Sequence, residues 1–131
     1  MSNWTIADGY KYAKSDEWIK QEGGEALIGI SDYAQNQLSD LVFIELPKVG
    51  ASYSAGQAFG VVESVKAAAD VNMPASGEVI AVNAELESSP ETMNQDAYGK
   101  GWIIRIKLSN PADLDALMDA AAYTAYCNER A

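Results

Sequence analysis

The run VVESVKAAADV at residues 61–71 sets one lysine, Lys66, inside a segment that otherwise favours strand. A lone lysine among apolar strand residues is ordinarily a solvated side chain or an edge gatekeeper against aggregation. The alternative is a primary amine held out for a partner to modify. Upstream, Phe59, Val61 and Val65 alternate with Gly60, Val62 and Ser64; downstream, Ala67, Ala69, Val71 and Met73 alternate with Ala68, Asp70 and Asn72. Two strands therefore flank the lysine. If they pair, the reversal falls on residues 64–67, where the usual Asn-Gly or Asp-Gly is missing. A type I turn tolerates Val65 there, and a break in local turn chemistry tends to mark a functional position. The predicted geometry is a lysine at a hairpin tip on a rigid scaffold.

The rest of the composition narrows the chemistry. The 131 residues contain no histidine, which excludes a Ser-His-Asp triad, a Cys-His pair and any His-ligated zinc site. The single cysteine, Cys127, has no partner for a disulfide and is expected to be a buried, idle thiol. Nineteen acidic against nine basic side chains give a formal net charge of -10, which repels phosphate backbones and anionic membranes. Nucleic acid and membrane are thus not expected partners, and the acidic surface reads either as a solubility device, the commoner case, or as a means of steering basic patches of other proteins. No apolar run is long enough to span a bilayer, and the first 18 residues lack the pattern of a leader, so a cytoplasmic protein is expected.

A hydrophobic share of 48% over this length suits one domain, taken as residues 1–131, with a core over about 40–108 and a helical segment over about 110–128. Gly23-Gly24 predicts a hairpin within residues 17–30, and Ser31 caps a short helix over the residues that follow. LVFIELP at 41–47 reads as a well-buried strand stopped by Pro47, and residues 77–83 as another strand. A short helix is predicted to begin near Ser89, a half-exposed strand over 101–108, and a terminal helix broken near Asp119. The expected class is α+β, mainly β, with antiparallel sheets forming a small sandwich or barrel.

The run FGVVESVKAAADVNMPASGEVIAVN resembles the lipoyl-lysine segment of the H-protein of the glycine cleavage system. DEWIKQEG, ALIGISDYAQNQLSDLVFIELPKVG, SSPETMN and YGKGWIIRIKL resemble the same family in order and spacing, covering the chain from about Tyr10 to Tyr126. A generic lipoyl or biotinyl domain matches only the central half. Biotinyl domains usually flank the target lysine with methionines, whereas Val65 and Ala67 flank it here.

The resemblance implies a barrel-sandwich hybrid with N- and C-terminal helical additions, and Lys66 amidated by lipoate. It implies a non-catalytic carrier for glycine catabolism, whose arm takes an aminomethyl group from the decarboxylating P-protein to the aminomethyltransferase T-protein. A dihydrolipoyl dehydrogenase L-protein restores the arm's disulfide, and a lipoate ligase or an octanoyl or lipoyl transferase attaches it. The family's contacts to the cationic cargo fall on Ser15, Glu17 and Asp70, and a lipoylating enzyme is expected to read Glu63 and Ser64. Asp16 stands where the family usually shows a histidine, so it either supplements the acidic site or leaves the imidazole's role unfilled. Gln37 also replaces a histidine found in some members. Two other readings are a lipoate-relay protein and an interaction domain with an unmodified lysine.

Overall fold

The computed structural model describes residues 4–130, arranged as two antiparallel sheets. The first has six strands: β1 (Lys11–Tyr12), β2 (Glu17–Glu22), β3 (Glu25–Ile30), β5 (Ser52–Tyr53), β8 (Gly77–Val82) and β9 (Ile104–Leu108), in the order β1-β2-β3-β9-β8-β5. The second has three, β4 (Leu41–Glu45), β6 (Ala58–Ser64) and β7 (Ala68–Asn72), with β6 central. Helices α1 (Asp32–Leu38), α2 (Glu85–Ser88), α3 (Thr92–Gln95) and α4 (Ala120–Arg130), with a 3-10 turn at Pro111–Ala116, complete the chain. The mainly β class with a C-terminal helix is as the sequence predicts, and neither sheet closes on itself.

The β2–β3 hairpin turns on Gly23 at φ 66°, a conformation glycine adopts without penalty. Ser31 caps α1 through its hydroxyl, which accepts the Ala34 N–H at 3.1 Å. The main core lies between the sheets and is built by Ile28, Val62, Val71, Val79, Ile104 and Ile106 among others. A second, aromatic cluster of Tyr12, Trp18, Tyr33 and Tyr123 lies under α4 and takes in Cys127, buried as expected.

Two expectations are corrected. The strand at 41–47 is not well buried: only Leu41 and Ile44 point inward, while Val42 and Phe43 are 54% and 47% exposed. β4 is a sheet edge, and a register shift between Leu41 and Phe43 turns two successive side chains outward. The alternation read along β6 also fails, because a register shift between Ala58 and Gly60 buries Phe59 and Gly60 together. Val62 then joins the core, Val61 is half-buried and Val65 is 70% exposed. The short helix expected near Ser89 is α3, which begins after Pro90; a further single turn, α2, precedes it and ends at Ser88. A residue before proline is driven out of the helical region, and Ser89 accordingly lies at φ -136°, ψ 65°. The predicted break near Asp119 is present, and the Asp119 carboxylate accepts the Ala122 N–H at 2.9 Å in the first turn of α4.

Candidate functional site

Lys66 lies at the tip of the β6–β7 hairpin and is exposed. The tip has the wrong residues for a glycine turn, so a side chain organises it. The Ser64 hydroxyl accepts the backbone N–H groups of Lys66 at 3.3 Å and Ala67 at 3.0 Å, and donates to the Ala67 carbonyl at 3.1 Å. The Ser64 N–H bonds the same carbonyl at 2.7 Å. This local bonding lets serine do what Asn-Gly does elsewhere. The Val65 N–H donates to the Asp40 carbonyl at 3.1 Å, which ties the tip to the start of β4. The result is a lysine on a fixed backbone between two exposed neighbours, Val65 and Ala67. Glu63, exposed on the last turn of β6, faces Phe43 across the sheet.

Ser15 and Glu17, with Asp70 more than fifty positions away in sequence, line one cavity of about 170 Å³. Its walls are otherwise mostly apolar: Ile30 of β3, Ala34 and Leu38 of α1, Val62 of β6 and Ala69 of β7. Glu17 is 1% exposed. One carboxylate oxygen accepts the Ser15 hydroxyl and the other the Asn72 N–H at 2.9 Å. Burial pushes the Glu17 carboxyl up to about 7, against the pull of those two hydrogen bonds. Among the described residues, no lysine or arginine lines the cavity. A nearly buried carboxylate facing a partly apolar space, with no cation to balance it, suits a small cationic group. Asp70, on β7, stands four residues past Lys66, a path of about 13 Å at the rise of a strand.

The Asp16 carboxylate, between Ser15 and Glu17, is held from the side of the C-terminal helix. It accepts from Arg130 of α4 at 2.6 and 3.1 Å and from the Tyr123 hydroxyl at 2.8 Å, so its charge is matched on the side of the C-terminal helix. Its backbone is left-handed, φ 80°, and the residue still lines the cavity. Gln37 lines it too and presents an amide in place of an imidazole. Asn72 and Asp40, which the sequence does not single out, act through backbone atoms, and no side-chain pattern could reveal them. Tyr123 and Arg130 were hidden among ordinary helix residues.

The residues fit an amide-linked arm: an exposed lysine on a fixed turn, on the same hairpin as one wall of a cavity with an unmatched carboxylate. A family model described as Glycine cleavage H-protein matches residues 10–130. The glycine cleavage system H protein of Symbiobacterium thermophilum is 56% identical over 91% of this chain and 93% of its own length. That of Opitutus terrae is 57% identical over 94% and 96%, and the mitochondrial protein of Pisum sativum is 51% identical over 95% of this chain and 75% of its own. A crystal structure of a glycine cleavage system H protein from Mycobacterium marinum superposes with a TM-score of 0.84 at 33% identity, over 95% of this chain and 98% of that one.

Proposed function

Because the chain belongs to the glycine cleavage H-protein family, we propose that it is the lipoyl carrier of that system, shuttling the aminomethyl group of glycine from P-protein to T-protein. The observation that carries this reading is the shared hairpin: β7 leads from Lys66 to Asp70, which lines the cavity holding Glu17. Lipoate bound as an amide on Lys66 supplies a cyclic disulfide able to take up and give back the aminomethyl group.

The chain's own residues do the rest. Ser64 and the Asp40 carbonyl hold the tip so that Lys66 is presented the same way to each enzyme. Glu63 and Ser64, the last two residues of β6, are the features a lipoate ligase or an octanoyl or lipoyl transferase meets just before Lys66. Glu17, with Asp70 nearby, binds the ammonium end of the cargo, and Ser15 orients the Glu17 carboxylate. Ile30, Leu38, Val62 and Ala69 keep water from the cargo. The protein itself turns over no substrate; catalysis belongs to P-protein, T-protein and the dihydrolipoyl dehydrogenase. We assign it to the cytoplasm, where the buried, unpaired Cys127 needs no oxidising surroundings.

Intact mass tests the attachment. Incubation with lipoate ligase, ATP and lipoate adds one lipoyl amide, and Lys66→Arg abolishes the increment. Wild-type protein that gains no mass overturns the reading. The modified protein, given P-protein, pyridoxal phosphate and glycine, then supports release of carbon dioxide. Lipoyl transfer to another acceptor protein with no such release would replace the carrier by a relay.

A further inference from the structure

A continuous chain of polar contacts joins the last turn of α4 to both walls of the cavity. Arg130 binds the Asp16 carboxylate through two nitrogens, at 2.6 and 3.1 Å, and its guanidinium lies 3.9 Å from the Tyr126 ring centre and 4.5 Å from that of Tyr33. The Tyr123 hydroxyl donates to Asp16 at 2.8 Å and shares a 2.6 Å hydrogen bond with the Ser31 hydroxyl. Ser31 caps α1, whose Ala34, Gln37 and Leu38 form one wall; its N–H also bonds the Asp16 carbonyl at 2.9 Å. Asp16 sits between Ser15 and Glu17, which form the other wall.

We propose that Arg130 and Tyr123 are positioning residues for Glu17, and that the C-terminal helix is thereby the latch of the cargo cavity. This rests on the carrier reading for what the cavity holds, but not for the contacts themselves. Two effects follow from the geometry. The first is conformational: Asp16 is a non-glycine residue at positive φ, a state that persists only when its surroundings hold it, and Arg130, Tyr123 and the Ser31 N–H do so. That backbone sets where Ser15 and Glu17 point. The second is electrostatic. The ionisable groups around Glu17 are Asp16 on the adjoining loop and Asp70 of β7; α1 contributes only the neutral Gln37, and Arg130 reaches the site only through Asp16. Arg130 therefore matches the acid next to Glu17 without giving Glu17 a cation of its own, which leaves Glu17 open to a cationic guest.

The test uses the full chain without lipoate. The carboxyl carbon of Glu17 is followed by NMR across pH in wild type, Arg130→Gln, Arg130→Lys, Asp16→Asn and the double variant Arg130→Gln/Asp16→Asn. Arg130→Gln exposes Glu17 to an unmatched Asp16, and the titration midpoint rises by about 0.3 to 0.5 pH unit. Arg130→Lys restores part of the shift, and the double variant returns the midpoint to or below that of wild type. Tyr123→Phe keeps the ring stacked on Tyr12 and loses the hydroxyl's two hydrogen bonds, to Asp16 and Ser31; it shifts the Ser15 and Asn72 amide resonances. A midpoint that stays fixed in Arg130→Gln, with helix content unchanged by circular dichroism, overturns the proposal. So does an equal shift in the single and double variants, which would make Arg130 a purely structural anchor of α4. Retention of the aminomethyl cargo is measured separately on lipoylated protein; if the titration shifts and retention does not, the latch stands and the assigned guest of the cavity falls.

Discussion

The Glu17 carboxylate accepts the Asn72 N–H at 2.9 Å, joining β2 of the large sheet to β7 of the small one across 55 positions of sequence. The residue that faces the cavity is therefore fixed to the strand that leads from Lys66. This tie is made by a group with no facing cation, and it has a cost that depends on pH. Its carboxyl is raised from 4.5 unfolded to about 7 folded. Between those values the folded chain holds a proton that the unfolded chain has lost, so stability falls as pH rises through that window and stays low above it. The upper bound on this loss is roughly 3 kcal/mol. Glu17→Gln keeps the size and one acceptor but cannot ionise. Urea unfolding of the two proteins at pH 5 and pH 8 should show the variant less stable or equal at pH 5 and relatively more stable at pH 8. An equal pH response in both proteins contradicts the buried ionisation.

The hydroxyl of Ser64 serves three backbone groups at the hairpin tip, so Ser64→Ala should loosen Lys66 without touching the core. The stability loss is about 1 kcal/mol, because the freed amides at this exposed tip can bond water. The rate of lipoylation by a ligase should fall several-fold, with Ser64→Thr retaining most of it. Initial rates by intact mass decide this, and an unchanged rate for Ser64→Ala shows that the enzyme does not depend on the ordered turn.

Gly60 provides a sharper stability test. A Cβ at that position meets the backbone carbonyl oxygen of Glu45 at 2.5 Å, and backbone cannot step aside as a flexible side chain can. Gly60→Ala should force β4 away from β6 and lower stability by at least about 2 kcal/mol. The same movement drags the Asp40 carbonyl from the Val65 N–H, so amide exchange at Val65 should quicken in the native state. Denaturation midpoints within error of wild type contradict the tight approach of the two strands.

How far the sequence discloses this molecule depends on whether side chains or backbone do the work. Lys66 at a hairpin tip was readable, because Val65 is a poor turn former and its presence pointed to the position. Ser31, Gly23 and Pro90 acted through rules that are local, and their turns and caps fell where local rules put them, whereas the single turn α2 before Ser89 carried no such signal. Val42, Phe43 and Val61 misled, since hydrophobic periodicity carries no sign of an edge strand or of a register shift. Grouping Ser15, Glu17 and Asp70 came from resemblance; the cavity that unites them depends on long-range sheet pairing, which no local pattern expresses. The partnership of Asp16 with Arg130 across 114 positions is of the same kind, and nothing in the run SDEW announces it.

Charge on the small sheet makes the last prediction. β4, β6 and β7 carry Glu45, Glu63 and Asp70, all exposed, and no basic residue. Lys66 is the cation of the loop that joins β6 to β7, and amidation removes its charge. On lipoylation these three strands and the hairpin tip therefore carry acidic charge alone, next to the exposed Val65, Val42 and Phe43. The Debye length shrinks from about 10 Å at 0.1 M salt to about 3 Å at 1 M, so attraction between this face and a basic rim on P-protein should weaken as salt is added. Affinity by surface plasmon resonance should drop several-fold between about 0.05 and 0.5 M sodium chloride, mostly in the association rate. The triple variant Glu45→Gln/Glu63→Gln/Asp70→Asn should bind more weakly at low salt and respond less to it. If the wild type binds equally across that range, the charge of -10 serves solubility and the apolar tip alone carries recognition.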